Sequence, residues 1–374
     1  MIGGVGIGSA LAVYFIIWWL TLFVVLFAKP FGGWLSDRQR RRKPWMVAGY
    51  GVSALLRPLF AVVGSPWAMA AVRAGDRVGK GLRSAPRDAL LADLEFSLPS
   101  VWGRKVGTVF FGGGTPSLMN PDTVAAVIAE IKTLWPVAND LEITLEANPG
   151  SVEAGRFIAY RDGGVSRISM GIQALNDEDL RRLGRIHSTS EALAAFDIAR
   201  NTFERVSFDL IYARQNQSLS DWEAELNQAL TLSIDHLSLY QLTVEDGTAF
   251  GDRYALGKLR GLPDEDLGAD MFDLTQDVCG AAGMPAYEVS NHARSGDESI
   301  HNQIYWRYGD YAGIGPGAHG RLTLDGVRHA TETDRMPGAW LEKVERVGNG
   351  DSLVAPLTIE DQRAEFLMMG LRLS

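Results

Sequence analysis

The stretch Thr108-Val-Phe-Phe-Gly-Gly-Gly-Thr-Pro-Ser117 runs a β-branched and aromatic strand straight into three consecutive glycines. It opens the series that limits the fold more than any other feature. From Lys105 onward, short β-branched runs alternate with helical patterns, which is the signature of parallel strands joined by crossover helices. The spacing predicts strands at about 106–112, 141–146, 166–172, 206–212, 236–243 and 285–289. It predicts helices over 121–134, 177–183, 190–201 and 219–232. Pro121 and Asp122 suit a helix start, and Ser220 is a cap candidate before Asp221.

In β/α barrels the reactive face lies at the carboxyl ends of the strands. The unusual residues of this chain fall there. Gly112-Gly113-Gly114-Thr115-Pro116 follows the first strand, and Glu146-Ala-Asn148-Pro149 follows the second. Gln173 ends the third, Asp209 lies within the fourth, and Tyr240 and Thr243 lie on the fifth. A triple glycine alone is an ordinary tight turn. A lone strand-end carboxylate is an ordinary turn or salt-bridge residue. Their order and spacing together carry the reading.

The front of the chain has a different character. Residues 1–100 carry a net charge of +7 and the remainder −16. An acidic second part argues against nucleic-acid binding, which needs a basic face. Met1 to Ala28 contains no charged residue, and a run of that length can cross a bilayer. Lys29 to Lys43 then supplies six basic residues against Asp37, and Trp45 to Val72 is apolar but for Arg57. Basic residues between two apolar spans read as a cytoplasmic loop. The expectation is an all-α transmembrane fragment over 1–87, with membrane association through residues 1–72. A single cysteine, Cys279, excludes an internal disulfide framework.

These residues carry two resemblances. Gly33-Trp-Leu-Ser-Asp-Arg-Gln-Arg-Arg-Arg-Lys43 and the stretch Arg73 to Asp88 resemble major facilitator transporters, over roughly residues 1–93. The strand-end series resembles the radical S-adenosylmethionine (radical SAM) enzymes, specifically the HemW-type haem chaperones and the related oxygen-independent coproporphyrinogen III oxidases. His301-Asn-Gln-Ile-Tyr-Trp306, with Tyr287 to His292 and Tyr311 to Gly320, favours the chaperone over the oxidase. The segment Asp88 to Asp93 belongs to both resemblances, so the chain reads as a junction of two reading frames there. The implied fold is α/β, an incomplete radical-SAM-type (β/α) barrel over 88–374, preceded by the transmembrane fragment.

The resemblance implies S-adenosylmethionine contacts at Gly113, Gly114 and Thr115. It implies a hydrogen-bond acceptor at Glu146, with Gln173, Arg185 and Asp209 lining the same site. It also implies a haem contact, His301 first and His319 second, because an imidazole can ligate haem iron and Tyr305 and Trp306 offer flat apolar surface. The implied partners are haem and an unidentified haem-acceptor protein, in the cytoplasm. An oxidase of porphyrin biosynthesis and a transporter fragment are the alternative readings.

The chain departs from that family in three places. Radical chemistry needs a [4Fe-4S] cluster held by three thiolates. Here transporter-like sequence occupies the place of the cluster strand and loop, and Cys279 lies in the helical stretch 271–282. The expectation is therefore that the chain holds no cluster and cleaves no S-adenosylmethionine, and that its barrel edge is open. After Asp209-Leu-Ile-Tyr212, Ala213-Arg-Gln-Asn-Gln217 replaces a Gly-Leu-Pro-Gly-Gln-like turn. The resemblance ends at Leu371 to Ser374, within the family's C-terminal region.

Overall fold

The computed structural model describes residues 86–233 and 235–373. The expected transmembrane fragment lies outside the described residues but for its last two positions. Among the described residues, no helix is long and apolar enough to cross a membrane. The described chain divides into two compact units.

The larger unit comprises residues 98–312, 320–331 and 354–373. Its sheet is built from β1 (Val106–Phe111), β2 (Val137–Ala147), β3 (Arg167–Gln173), β4 (Arg205–Tyr212) and β5 (His236–Gln241), all parallel and in sequence order. The helices between them are α2 (Pro121–Leu134), α3 (Ala154–Asp162), α4 (Asp177–Arg182), α5 (Thr189–Arg200) and α6 (Leu219–Leu232), with α1 being the helix over 86–97. After β5 come α7 (Ala249–Ala255) and α8 (Glu265–Ala281). The alternation read from the sequence is the observed one, and α2 and α6 match their predicted limits. The cap of α6 is Ser218, not Ser220, and it forms a reciprocal capping box with Asp221. The box needs a spacing of three between the hydroxyl and carboxylate positions, which Ser218 satisfies and Ser220 does not.

The predicted sixth strand is also different. It is a three-residue strand, β6 (Ala286–Glu288), paired antiparallel with β7 (Asn291–Ala293), which pairs antiparallel with β5. Two residues separate β6 from β7, and so short a link can join only antiparallel strands.

The sheet sorts its side chains by alternation. Ile143 and Leu145 of β2, Ile168, Met170 and Ile172 of β3, and Phe208 and Leu210 of β4 pack with Phe157, Phe196, Trp222 and Met271 of the helices. The opposite, inner face is polar: Glu142, Thr144, Arg167, Ser207, His236 and Ser238 are all buried there. Helix α9 (Ile300–Trp306) packs against β1, with Ile304 beside Gly107 and His301 beside Thr108.

The smaller unit comprises 86–97, 313–319 and 332–353 of the described residues. Ala89 of α1 packs with Trp340, Leu341 and Val344 of α10 (Pro337–Val347). Buried Asp93 accepts hydrogen bonds from Gly315 N (3.1 Å), Trp340 Nε1 (3.0 Å) and Gly350 N (2.8 Å). The segment holding Ala89 and Asp93 is thus tied to residues 313–319 and 332–353 of the same unit. The remaining strands, β8 (His319–Leu324), β9 (Val327–Thr333) and β10 (Asp351–Pro356), form a separate sheet in the order β10-β9-β8, and α11 (Ile359–Gly370) ends the described fold.

Candidate functional site

The glycine turn after β1 is required by its backbone. Gly113 and Gly114 adopt φ of 78° and 41°, a region that side chains rarely tolerate. Gly112 is needed for space, since a Cβ there would sit 2.7 Å from the Phe110 ring. The Gly113 amide donates to Glu146 Oε2 at 3.1 Å, so the end of β2 holds the turn. Ser117 reinforces the pairing: its hydroxyl lies 2.5 Å from that of Ser151 and accepts from Asn148 N at 3.3 Å. Tyr160 donates to the carbonyls of Ser117 (2.9 Å) and Met119 (2.6 Å). Thr115 leads into the short 3-10 turn Pro116–Leu118, and its side chain makes no capping bond.

Gln173 has φ of 76°, rare for a residue with a side chain. The strand pairing shifts register between Met170 and Gln173. This strained end aims the amide at β4, where Gln173 Nε2 donates to Asp209 Oδ2 at 2.9 Å. Burial pushes the Asp209 carboxyl up to about 6, opposed by the Arg185 charge and the Gln173 bond and assisted by the Glu146 charge. Burial also raises Glu146, and the Gly113 amide offsets part of that rise. Tyr240 is pushed up to about 12 by burial and by the fields of Asp209 and Glu146. The glycine turn, Glu146, Gln173, Asp209, Arg185 and Tyr240 therefore converge at the carboxyl ends of five parallel strands. Two carboxylates, a backbone turn and a guanidinium in one place can hold a ligand carrying both cationic and anionic ends.

Of the two candidate histidines, His301 belongs to the same unit as this group. His301 stacks on Phe110, with ring centroids 4.6 Å apart, and its Nδ1 is 3.3 Å from Thr108 Oγ1. Phe110 in turn abuts Gly112. Burial lowers the His301 pKa, and the Glu142 charge opposes that shift. His319 belongs to the smaller unit, where its Nδ1 is 4.0 Å from Glu332 Oε1.

Several residues of this region were not singled out by the sequence. Ala213 and Asn216 take φ of 57° and 60°, at the two places where the expected turn has glycine. The turn therefore keeps a glycine-like backbone without glycine. Buried Arg214 fastens it, donating to Asp179 Oδ2 (3.0 Å), to Ile211 O (2.6 Å) and to Glu225 Oε2. Glu225 Oε1 accepts from Leu175 N at 2.7 Å, so the loops after β3 and β4 share one ionic anchor. The departure at 213–217 marked the place but not the network.

The donor set does not fit an iron–sulfur cluster. Cys279 is fully buried in the helix-side core, and burial pushes its thiol up to about 12. One enclosed thiol cannot supply the three thiolates such a cluster needs. Among the described residues, no group of three His, Cys, Asp or Glu side chains is placed to hold a metal ion.

Comparison with known proteins agrees with this geometry. The family model described as "Radical SAM superfamily" matches residues 98–229. The heme chaperone HemW of Escherichia coli (strain K12) is 39% identical over 327 residues, covering 85% of this chain and 83% of that protein. The mitochondrial radical S-adenosyl methionine domain-containing protein 1 of Bos taurus is 40% identical over 294 residues, covering 77% of this chain. The chain spans 66% of the length of that bovine relative. Among solved structures, the coproporphyrinogen III oxidase HemN of Escherichia coli superposes with a TM-score of 0.64 at 23% identity, over 77% of this chain and 68% of that one. That likeness shows the fold, an incomplete β/α barrel.

Proposed function

The chain belongs to the HemW haem-chaperone family of the radical SAM superfamily, and on that premise we propose that it binds S-adenosylmethionine at the strand ends and haem through a histidine, without cluster chemistry. One observation carries the proposal: Gly113, Glu146, Gln173 and Asp209 meet through direct bonds and shared fields at the ends of β1 to β4. The residues suit this ligand. The open backbone of Gly113 and Gly114, with Thr115, accommodates its methionine part, while Glu146 and Asp209 provide acceptors and negative charge for its cationic groups. Gln173 orients Asp209, and Arg185 faces the carboxylate end. S-adenosylmethionine, when bound, supplies a sulfonium centre and an amino-acid head. The chain's own part is to bind and orient them.

Haem is held by His301 or His319 and passed to an acceptor protein in the cytoplasm. The division at 87/88 and membrane association through residues 1–72 belong to the same proposal, supported by the charge-free run from Met1 to Ala28.

Calorimetric titration with S-adenosylmethionine tests the strand-end site. Asp209→Asn and Glu146→Gln are each expected to weaken binding by about tenfold or more, the usual loss for a hydrogen bond to a charged group. A cationic ligand favours ionised Asp209, so affinity falls as pH drops through about 6 and the Asn variant loses that dependence. Unchanged affinity in both variants would overturn the site. Haem titration by absorbance, with His301→Ala and His319→Ala, tests the second half. An unchanged spectrum in both would remove the histidine reading.

A further inference from the structure

Strand β2 carries a second inner-face carboxylate, four residues before Glu146, that the proposed ligand site does not use. Glu142 is 4% exposed. Two guanidinium groups reach its Oε2, Arg205 Nη1 at 3.2 Å and Arg167 Nη1 at 3.4 Å. Those cations alone would neutralise it. Yet Glu142 also accepts three bonds from the start of α9: Ser299 Oγ at 3.3 Å and His301 N at 3.2 Å on Oε1, and Ile300 N at 3.4 Å on Oε2. The carboxylate thus nails the first turn of α9 to the barrel lining.

The next residue of α9 is held with equal definition. Asn302 Nδ2 donates to Tyr287 Oη at 3.1 Å, and Tyr287 Oη is 2.8 Å from His236 Nε2. The His301 ring is wedged between these anchors and β1, stacked on Phe110 with Nδ1 facing Thr108. No hydrogen-bond partner for His301 Nε2 is found among the described residues, and that nitrogen is not among the fully buried unpaired atoms. It is the ring atom left for a ligand.

We infer that Glu142 is a positioning residue: by gripping the backbone of Ile300 and His301 from the barrel wall, it sets the His301 imidazole so that Nδ1 faces Thr108 and Nε2 is presented for ligation. This rests on the proposed haem role of His301. Residues four apart on one strand lie on the same face about 13 Å apart. One strand therefore fixes both the glycine turn, through Glu146, and the histidine helix, through Glu142.

Nitrogen-15 histidine NMR of the full chain isolates the positioning claim from the haem claim. The His301 ring signals are assigned by their loss in His301→Ala. Glu142→Gln, which keeps shape and removes charge, is expected to shift or broaden those signals while leaving the His187 and His329 signals in place. Glu142→Asp is expected to restore them in part. Ser299→Ala, which leaves the carboxylate and its arginines intact, is expected to move the same signals to a smaller degree and serves if the Gln variant fails to fold. Ring signals unmoved in folded Glu142→Gln, or in Ser299→Ala if the Gln variant does not fold, overturn the inference. In parallel, ferric haem is titrated into wild type, Glu142→Gln and His301→Ala. A tenfold or greater loss of affinity in both variants supports the inference and its premise. Loss in His301→Ala with wild-type affinity and spectrum in folded Glu142→Gln overturns the positioning role. Wild-type haem binding in His301→Ala overturns the haem premise, and with it the presentation of Nε2 to iron.

Discussion

His292 offers the sharpest test of the physical reasoning. It sits on β7, fully buried, and neither ring nitrogen has a hydrogen-bond partner among the described residues. Burial alone pushes its pKa from 6.5 down to about 4. A depressed pKa means the unfolded chain binds the proton more readily than the folded one. Stability from this group is therefore complete above about pH 6.5 and drains away as pH falls towards 4. The full displacement corresponds to about 3.4 kcal/mol, of which about 2.6 kcal/mol is reached by about pH 4.5. His292→Leu removes the titrating ring and the unpaired polar atoms together. Near pH 8 the variant is expected to be as stable as wild type or about 1–3 kcal/mol more stable, because buried unsatisfied polar groups are costly. Urea unfolding followed by fluorescence, near pH 8 and near pH 4.5, gives the comparison. The gap should widen in the variant's favour at the lower pH by about 2.6 kcal/mol. Parallel behaviour of the two proteins across that range would refute the burial argument. A large loss of stability in the variant at pH 8 would show that the ring is hydrogen-bonded.

Three further outcomes rest on the same kind of reasoning. Ala213→Gly relieves a left-handed residue with φ of 57° and should raise stability by about 1 kcal/mol, measured by denaturant midpoint. Asp93→Ala orphans the Gly315, Trp340 and Gly350 donors and should destabilise by about 3 kcal/mol or more, read as a lower unfolding temperature. Anaerobic iron and sulfide reconstitution should give no visible sulfur-to-iron absorbance, because Cys279 is a single enclosed thiol where three thiolates are needed; a clear cluster spectrum would contradict the donor-set argument.

How much of this was legible depended on whether the signal was local. The parallel series was readable because each strand has its own β-branched run and each helix its own boundary: Asn120 caps α2 before Pro121, and Ser218 boxes α6. Glu146, Gln173 and Asp209 were readable as strand-end polar residues, and the structure brings them together. The Glu142 anchor was not, because its partners lie 25 to 159 residues away and an inner-face glutamate looks like any surface one. The left-handed backbone of Gln173 left no trace, since glutamine has no particular preference for it. Helix α9 is seven residues long, too short for a periodic pattern. The turn at 213–217 reads in the sequence as a loss of shape. Its geometry survives because Arg214 brings ionic bonds that hold Ala213 and Asn216 in the conformation glycine would adopt freely.

The division of labour between the two faces of the sheet has a further consequence. The oily contacts that drive folding are concentrated on the helix side, and the lining contributes hydrogen bonds and ion pairs whose net worth to stability is small. Such a lining can be rewritten without dismantling the wall behind it. A scaffold of this kind can lose one chemistry and keep its shape, which makes it a durable vessel for whatever its interior is next asked to carry.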